Sequence, residues 1–209
     1  MSRFVVVGSG RCGTGWAAEL LRQCGVNCGH ERVFRWGTVL RGEPIDWGDW
    51  QADAAWTAVP RLAGLGLPAV LLTRHPLDVV RSMLALGWLT AAPTGADLPR
   101  LAQIVSNFRP EIDTEPTQAD RCLAMWWHWN IAALPHVGAV VRLEDAVRDP
   151  LLLLHAVGVH PERLPSVPRW NGKDDKKRPT PRPDWSRFRP ELAREARHLA
   201  ARFGYEETL

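Results

Sequence analysis

Apolar residues fall along this chain in two kinds of run. Three short blocks, Arg3 to Val7 (R-F-V-V-V), Pro68 to Thr73 (P-A-V-L-L-T) and Ala139 to Leu143 (A-V-V-R-L), have the length and β-branched content of buried strands. Between them stand stretches with helical spacing. Thr14 to Cys24 places Trp16, Ala17, Leu20, Leu21 and Cys24 on one stripe, and Gly25 stops it. Pro76 to about Leu86 is a second helix, with Pro at its first position, Asp78 at the positive end of the dipole and Gly87 as the stop. Further helices are predicted from Thr117 to about Leu134, from Pro150 to near Gly158, and from Pro190 to Phe203 before Gly204. Apolar strands alternating with helices indicate an α/β fold with a central parallel sheet flanked by helices. Gly25 to Glu31 is polar and glycine-broken, a poor strand. Residues 88–116 read as an irregular insert and residues 165–184 as a Pro-rich basic loop, both excursions from a single domain spanning 1–209.

Composition narrows the class. At 209 residues, 45% hydrophobic and 23% charged, the chain is neither disordered nor a repeat array. The first apolar run ends at Gly8, too short for a signal-peptide core, and no later run reaches about 18 apolar residues, so a cytoplasmic protein without a transmembrane segment is expected. Cys12, Cys24, Cys28 and Cys122 are too few and irregular for a disulfide framework. Cys24, Cys28 and His30 lack the paired spacing of a zinc site, and no metal is expected. A net charge of +3 is too mild to imply nucleic acid. The excess is C-terminal: residues 161–209 hold 12 Lys or Arg against 8 acids, including all three Lys (173, 176 and 177). That distribution suits a small polyanionic ligand. Of the 11 Trp, Trp126 and Trp129 share a helix face and read as core. Trp36, Trp47, Trp50 and Trp56 follow no clear pattern and offer either filling or an aromatic wall for an apolar or sugar acceptor.

Gly8-Ser9-Gly10-Arg11-Cys12-Gly13-Thr14-Gly15-Trp16 follows a strand and opens a helix, a placement that builds an anion site from backbone N–H groups and the helix dipole. Gly8, Gly10 and Gly13 satisfy G-x-G-x-x-G, so an NAD-dependent oxidoreductase is one alternative, with Glu31 near the distance of the ribose-binding acid. Gly8 and Gly13 also have P-loop spacing, but Thr14 stands where the Lys belongs, and no apolar run ending in Asp follows to hold magnesium. Arg74-His75-Pro76-Leu77-Asp78-Val79-Val80-Arg81-Ser82 lies at a second strand-to-helix junction, where Arg74 can grip a phosphate in bidentate fashion and Ser82 can add a hydroxyl.

Together these two elements resemble the sulfotransferase family that uses 3′-phosphoadenosine 5′-phosphosulfate. Gly10-Arg11-Cys12-Gly13-Thr14-Gly15-Trp16 is similar to the family's P-K-S-G-T-T-W loop, and Arg74, Pro76, Asp78 and Ser82 match its R-x-P-x-D-x-x-x-S stretch at every position. Val141-Arg142-Leu143-Glu144-Asp145 with Asp149-Pro150 resembles Y-E-D-L…D-P, and Phe203-Gly204-Tyr205 resembles the closing L-G-Y. Arg178, Asp184 and Trp185 align with R-K-G-x-x-G-D-W, without its Lys and glycines. Arg11 replaces the usual Lys and keeps its charge; Cys12 and Gly15 replace hydroxyl residues.

The resemblance implies a P-loop NTPase-like sulfotransferase fold and a metal-free transfer. Gly10 to Trp16 would hold the 5′-phosphosulfate, with Arg11 also stabilising charge on the leaving phosphate. Arg74 and Ser82 would hold the 3′-phosphate, Trp16 would face adenine, and Arg178 and Trp185 would lie near the 3′-phosphate and adenine. A general base is implied just after the first helix, where Glu31 is the first choice and His30 the second. A small-molecule or glycan-like acceptor is implied but not identified. A non-catalytic nucleotide-binding module is the remaining alternative.

Overall fold

In the computed structural model the described residues are 2–91, 98–163 and 180–205. The three apolar blocks form strands β1 (Phe4–Val7), β4 (Ala69–Thr73) and β5 (Ala139–Arg142). Two shorter strands join them: β2 (Cys28–His30), in the stretch read from sequence as too polar, and β3 (Ala52–Ala54). The sheet is parallel throughout, in the order β2-β3-β1-β4-β5. Both added strands have three residues and no run of large apolar side chains. They form because β1 offers β3 its free edge and β3 then offers its own to β2.

Chain contacts divide the molecule into two compact units. The first holds the sheet. Phe4 and Val6 of β1, Val70 and Leu72 of β4 and Val141 of β5 share one cluster with Ala17, Leu20 and Leu21 of α1 (Thr14–Gln23), Leu143 and Ala146 of α6 (Leu143–Arg148), and Leu153 and Leu154 of α7 (Leu151–Ala156). The alternate side chains Val5, Val7 and Leu71 are equally buried, as a parallel sheet requires. β5 ends one residue earlier than its apolar block, because Leu143 opens α6; Arg142 closes the junction by donating Nε and Nη2 to Asp145 at 2.6 and 2.9 Å. Also in this unit are α2 (Trp36–Leu40) and a 3₁₀ helix, Trp56–Gly64.

The second unit is helical. α3 (Pro76–Ala85) has Pro at its first turn and Asp78 near its positive end, and the His75 side chain accepts from Leu77 N. Residues 98–108, inside the stretch expected to be irregular, form α4, whose Leu101, Ile104 and Val105 share one buried face. That i, i+3, i+4 spacing was masked by the turn formers around it. α5 (Gln118–Ala133) buries Trp126 against Phe203 and Trp129 against Phe108, in edge-to-face contacts with centroids 6.2 and 5.2 Å apart. Asp120 receives Arg189 N at 2.9 Å where α8 (Pro190–Arg202) begins. Among the described residues no helix is long and apolar enough to cross a membrane.

Candidate functional site

The loop between β1 and α1 turns sharply into the N-terminus of the helix. Arg11 and Gly13 both take left-handed backbone conformations, with φ of 68° and 106°. The α1 N-terminus has no side-chain cap, and its first turn has no acid. Of its first-turn N–H groups, that of Thr14 bonds the Cys12 thiol, whereas at α3 the His75 side chain accepts from Leu77 N. Gly13 is needed twice over: its φ disfavours any side chain, and a Cβ there would stand 2.7 Å from Leu143 Cδ1. Gly13→Ala is expected to cost about 1–3 kcal/mol. Chemical denaturation checks this, and an unchanged midpoint would contradict it.

Cys12 points its thiol inward. The residue is fully buried, a Cβ on Gly8 would meet its Sγ at 2.4 Å, and burial pushes the thiol up to about 12. Cys12 therefore gives the loop shape rather than a reactive group. Trp16 is 5% exposed and packs in the sheet–α1 core, which leaves little ring face for a base. Gly10 and Gly15 are buried within the loop and first turn.

Arg74, at the end of β4, donates Nη1 to the Arg11 carbonyl at 3.3 Å. The strand order makes this possible, because β1 and β4 are neighbours and end on the same side. The structure thus brings the cation of the second element to the backbone of the first loop. Two buried hydroxyls lie at the ends of the same strands, Ser9 Oγ and Thr73 Oγ1, and neither has a hydrogen-bond partner among the described residues.

His30 and Glu31 also reach this loop. Thr14 Oγ1 lies 3.3 Å from His30 Nε2, which is 3.5 Å from Glu31 Oε1. Glu31 Oε2 accepts from Trp36 Nε1 at 2.8 Å, and the Trp56 side chain also hydrogen-bonds Glu31. The two indoles meet edge to face, with centroids 5.6 Å apart. Burial raises the Glu31 carboxyl above its ordinary value; the two indole donors and Arg11 oppose this. Burial lowers the His30 imidazole, with Asp53 opposing and Arg22, Arg11 and Arg32 adding to the effect.

A raised Glu31 pKa has a stability consequence. Between the ordinary 4.5 and the raised value, the folded chain holds a proton that the unfolded chain releases. Stability is lost as pH rises through that window. Glu31→Gln keeps an acceptor for Trp36 and is expected to raise Tm at about pH 8 by a few degrees, roughly 2–4 °C for each kcal/mol recovered, and by less at about pH 4. Scanning fluorimetry checks this; a lower Tm at both pH values would contradict it.

In the second unit, Ser82 on α3 is buried. Trp185 opens a 3₁₀ helix (Trp185–Arg187), and its indole N–H is buried without a partner among the described residues. Arg182 bonds His75 Nδ1 at 2.7 Å and pairs with Asp78 at 3.4 Å. Arg178, with Lys173, Lys176 and Lys177, lies outside the described residues. Asp53 is not marked out by the sequence, and Trp56 is marked there only as filling or an aromatic wall, not as a donor to Glu31. Their only signal is an Asp and a Trp in the Ala-rich stretch A-D-A-A-W, too short to show a period.

No protein-family model matches the chain, and no curated protein matches it significantly. Among solved structures it is similar to the sulfotransferase domain from the curacin biosynthetic pathway, with a TM-score of 0.55 at 13% sequence identity over 99% of each chain. The all-parallel five-stranded sheet flanked by helices is accordingly a sulfotransferase-like α/β fold.

Proposed function

We propose that this protein is a sulfotransferase that uses 3′-phosphoadenosine 5′-phosphosulfate to sulfate a hydroxyl or amine of a small-molecule or glycan-like acceptor. The observation that carries this reading is the convergence of an acid-free helix N-terminus, Arg11, Arg74, and the Thr14–His30–Glu31 chain at the ends of β1, β2 and β4. The donor fits these residues. The Gly13–Thr14 turn and Arg11 would hold the 5′-phosphosulfate, and Arg74 the 3′-phosphate. The Ser9 and Thr73 hydroxyls, without a hydrogen-bond partner among the described residues, suit polar ligand atoms. Ser82, Trp185 and Arg178 keep the donor-binding roles that the family resemblance implies. Trp16 is assigned to packing beneath the loop.

The bound donor supplies a sulfuryl group whose leaving group is a phosphate oxygen. The protein's part is positioning and charge. Arg11 and the loop amides stabilise the charge that develops on the leaving phosphate. Glu31, with Oε2 held by Trp36, takes the acceptor's proton at Oε1, and its raised pKa makes it a stronger base than an exposed carboxylate. His30, held neutral by its lowered pKa, orients Thr14 and is the second choice for the base.

The dinucleotide alternative places its second strand beside the first. Here β3 takes that position, β2 is at the sheet edge, and the Glu31 carboxylate is occupied by indoles.

Incubation with the donor and a panel of phenols, alkyl alcohols, amines and sugars is expected to yield a sulfated product and adenosine 3′,5′-bisphosphate in equal amounts. Binding of the bisphosphate without turnover of any acceptor would favour the non-catalytic module.

A further inference from the structure

The segment that carries Glu31 is held by a residue outside the chemistry just described. Asp53, at the centre of β3, is fully buried and stands opposite Gly29 in the β2–β3 register. A Cβ on Gly29 would lie 2.5 Å from Asp53 Oδ1, so the glycine clears the space that the carboxylate occupies. The carboxylate accepts three consecutive backbone N–H groups: Arg32 N on Oδ1 at 3.2 Å, and Val33 N and Phe34 N on Oδ2 at 3.1 and 3.0 Å. Thr57 Oγ1 donates to the Phe34 carbonyl at 2.6 Å, and the Val33 and Phe34 side chains are buried.

Glu31 immediately precedes this anchored run. Its φ of 55° is a left-handed conformation that a non-glycine residue keeps only where its surroundings over-determine it. Asp53 and Thr57 supply that constraint on the following residues, and Trp56, between them in sequence, hydrogen-bonds the Glu31 carboxylate. A neutral side chain offers at most two acceptor sites on one oxygen; a carboxylate has two oxygens and serves three donors in one direction. This accounts for a buried acid in an Ala-rich strand.

We propose that Asp53 is a positioning residue for Glu31. With Trp56 and Thr57, it fixes the backbone from Glu31 to Phe34 and thereby the orientation of the Glu31 carboxylate toward His30 and Thr14. The proposal rests on the reading of Glu31 as the base, and its test can fail separately from that reading.

The indole N–H signals of Trp36 and Trp56 in the ¹H–¹⁵N spectrum of the full chain report the Glu31 carboxylate directly. Glu31→Gln is expected to shift these two. Asp53→Asn, which keeps the side chain's size and one acceptor oxygen, is expected to shift the same two while leaving Trp126 and Trp129 in place. With phenol and water as acceptors, it is expected to lower turnover of 3′-phosphoadenosine 5′-phosphosulfate roughly tenfold to hundredfold. Affinity for adenosine 3′,5′-bisphosphate should stay within about twofold, under half a kcal/mol.

Unmoved Trp36 and Trp56 signals in Asp53→Asn would overturn the proposal, as would movement of all the indoles together or an equal loss of bisphosphate affinity. If Asp53→Asn does not fold, Thr57→Val takes its place, with a smaller shift of the same pair expected and no shift overturning the proposal. Full turnover in Glu31→Gln would reject Glu31 as the base, while the indole shifts would still decide whether Asp53 orients it.

Discussion

Glu31→Gln is expected to slow sulfuryl transfer by about 10²–10⁴-fold, the usual contribution of a positioned general base. Glutamine has the size of glutamate and keeps one oxygen for Trp36, so the loop and indole pair should stay in place. What is removed is the proposed proton acceptor, Oε1, 3.5 Å from His30. Affinity for adenosine 3′,5′-bisphosphate should therefore be nearly unchanged. The pH profile provides a second check. Because the Glu31 pKa is raised, wild-type activity should fall as pH drops through a value above the ordinary carboxylate range, and that limb should vanish in the residual activity of Glu31→Gln. If Glu31→Gln is fully active and His30→Ala is silent, the roles of the two residues reverse.

Arg74→Ala is expected to remove the second large effect, recognition of the 3′-phosphate. A charge-assisted contact of this kind contributes about 1.5–3 kcal/mol, or roughly tenfold to more than hundredfold in affinity. Arg74 also braces the first loop through the Arg11 carbonyl, so a modest loss of stability should accompany the loss of binding. The informative comparison is between ligands. Arg74→Ala should weaken the 3′,5′-bisphosphate strongly and AMP, which has no 3′-phosphate, only slightly. Titration calorimetry distinguishes the two, and equal losses would show that Arg74 acts on loop shape alone.

Legibility from sequence followed the range of the interactions. β1 with its loop, and Arg74 with α3, were readable because each packs its signal into about ten consecutive residues: an apolar block, a turn or Arg-Pro junction, then a helical stripe. β2 and β3 were not, because they exist through pairing across the chain, Gly29 with Asp53 and Phe4 with Ala52. α4 was hidden because three buried residues suffice for a helix whose remaining positions are polar. At the site, Thr14, His30 and Glu31 were nameable singly, but not the distances that join them. The indole clamp on Glu31 depends on Trp36 and Trp56, residues whose spacing has no period. Trp16 shows the reverse case: the motif suggested adenine, while its place on the apolar stripe of α1 puts it in the core.

The paired elements at Arg11 and Arg74 are proposed to hold a nucleotide with phosphates at both the 3′ and 5′ positions. The most direct test is thermal melting of the wild-type chain with adenosine 3′,5′-bisphosphate, against AMP, ATP and NAD at the same concentrations. A ligand at about 100 times its dissociation constant adds roughly 2.7 kcal/mol, about 5–10 °C in Tm for a chain of this size. The bisphosphate is expected to give a shift of that order, and the other three little or none. No shift with the bisphosphate, or a larger shift with NAD, would contradict it.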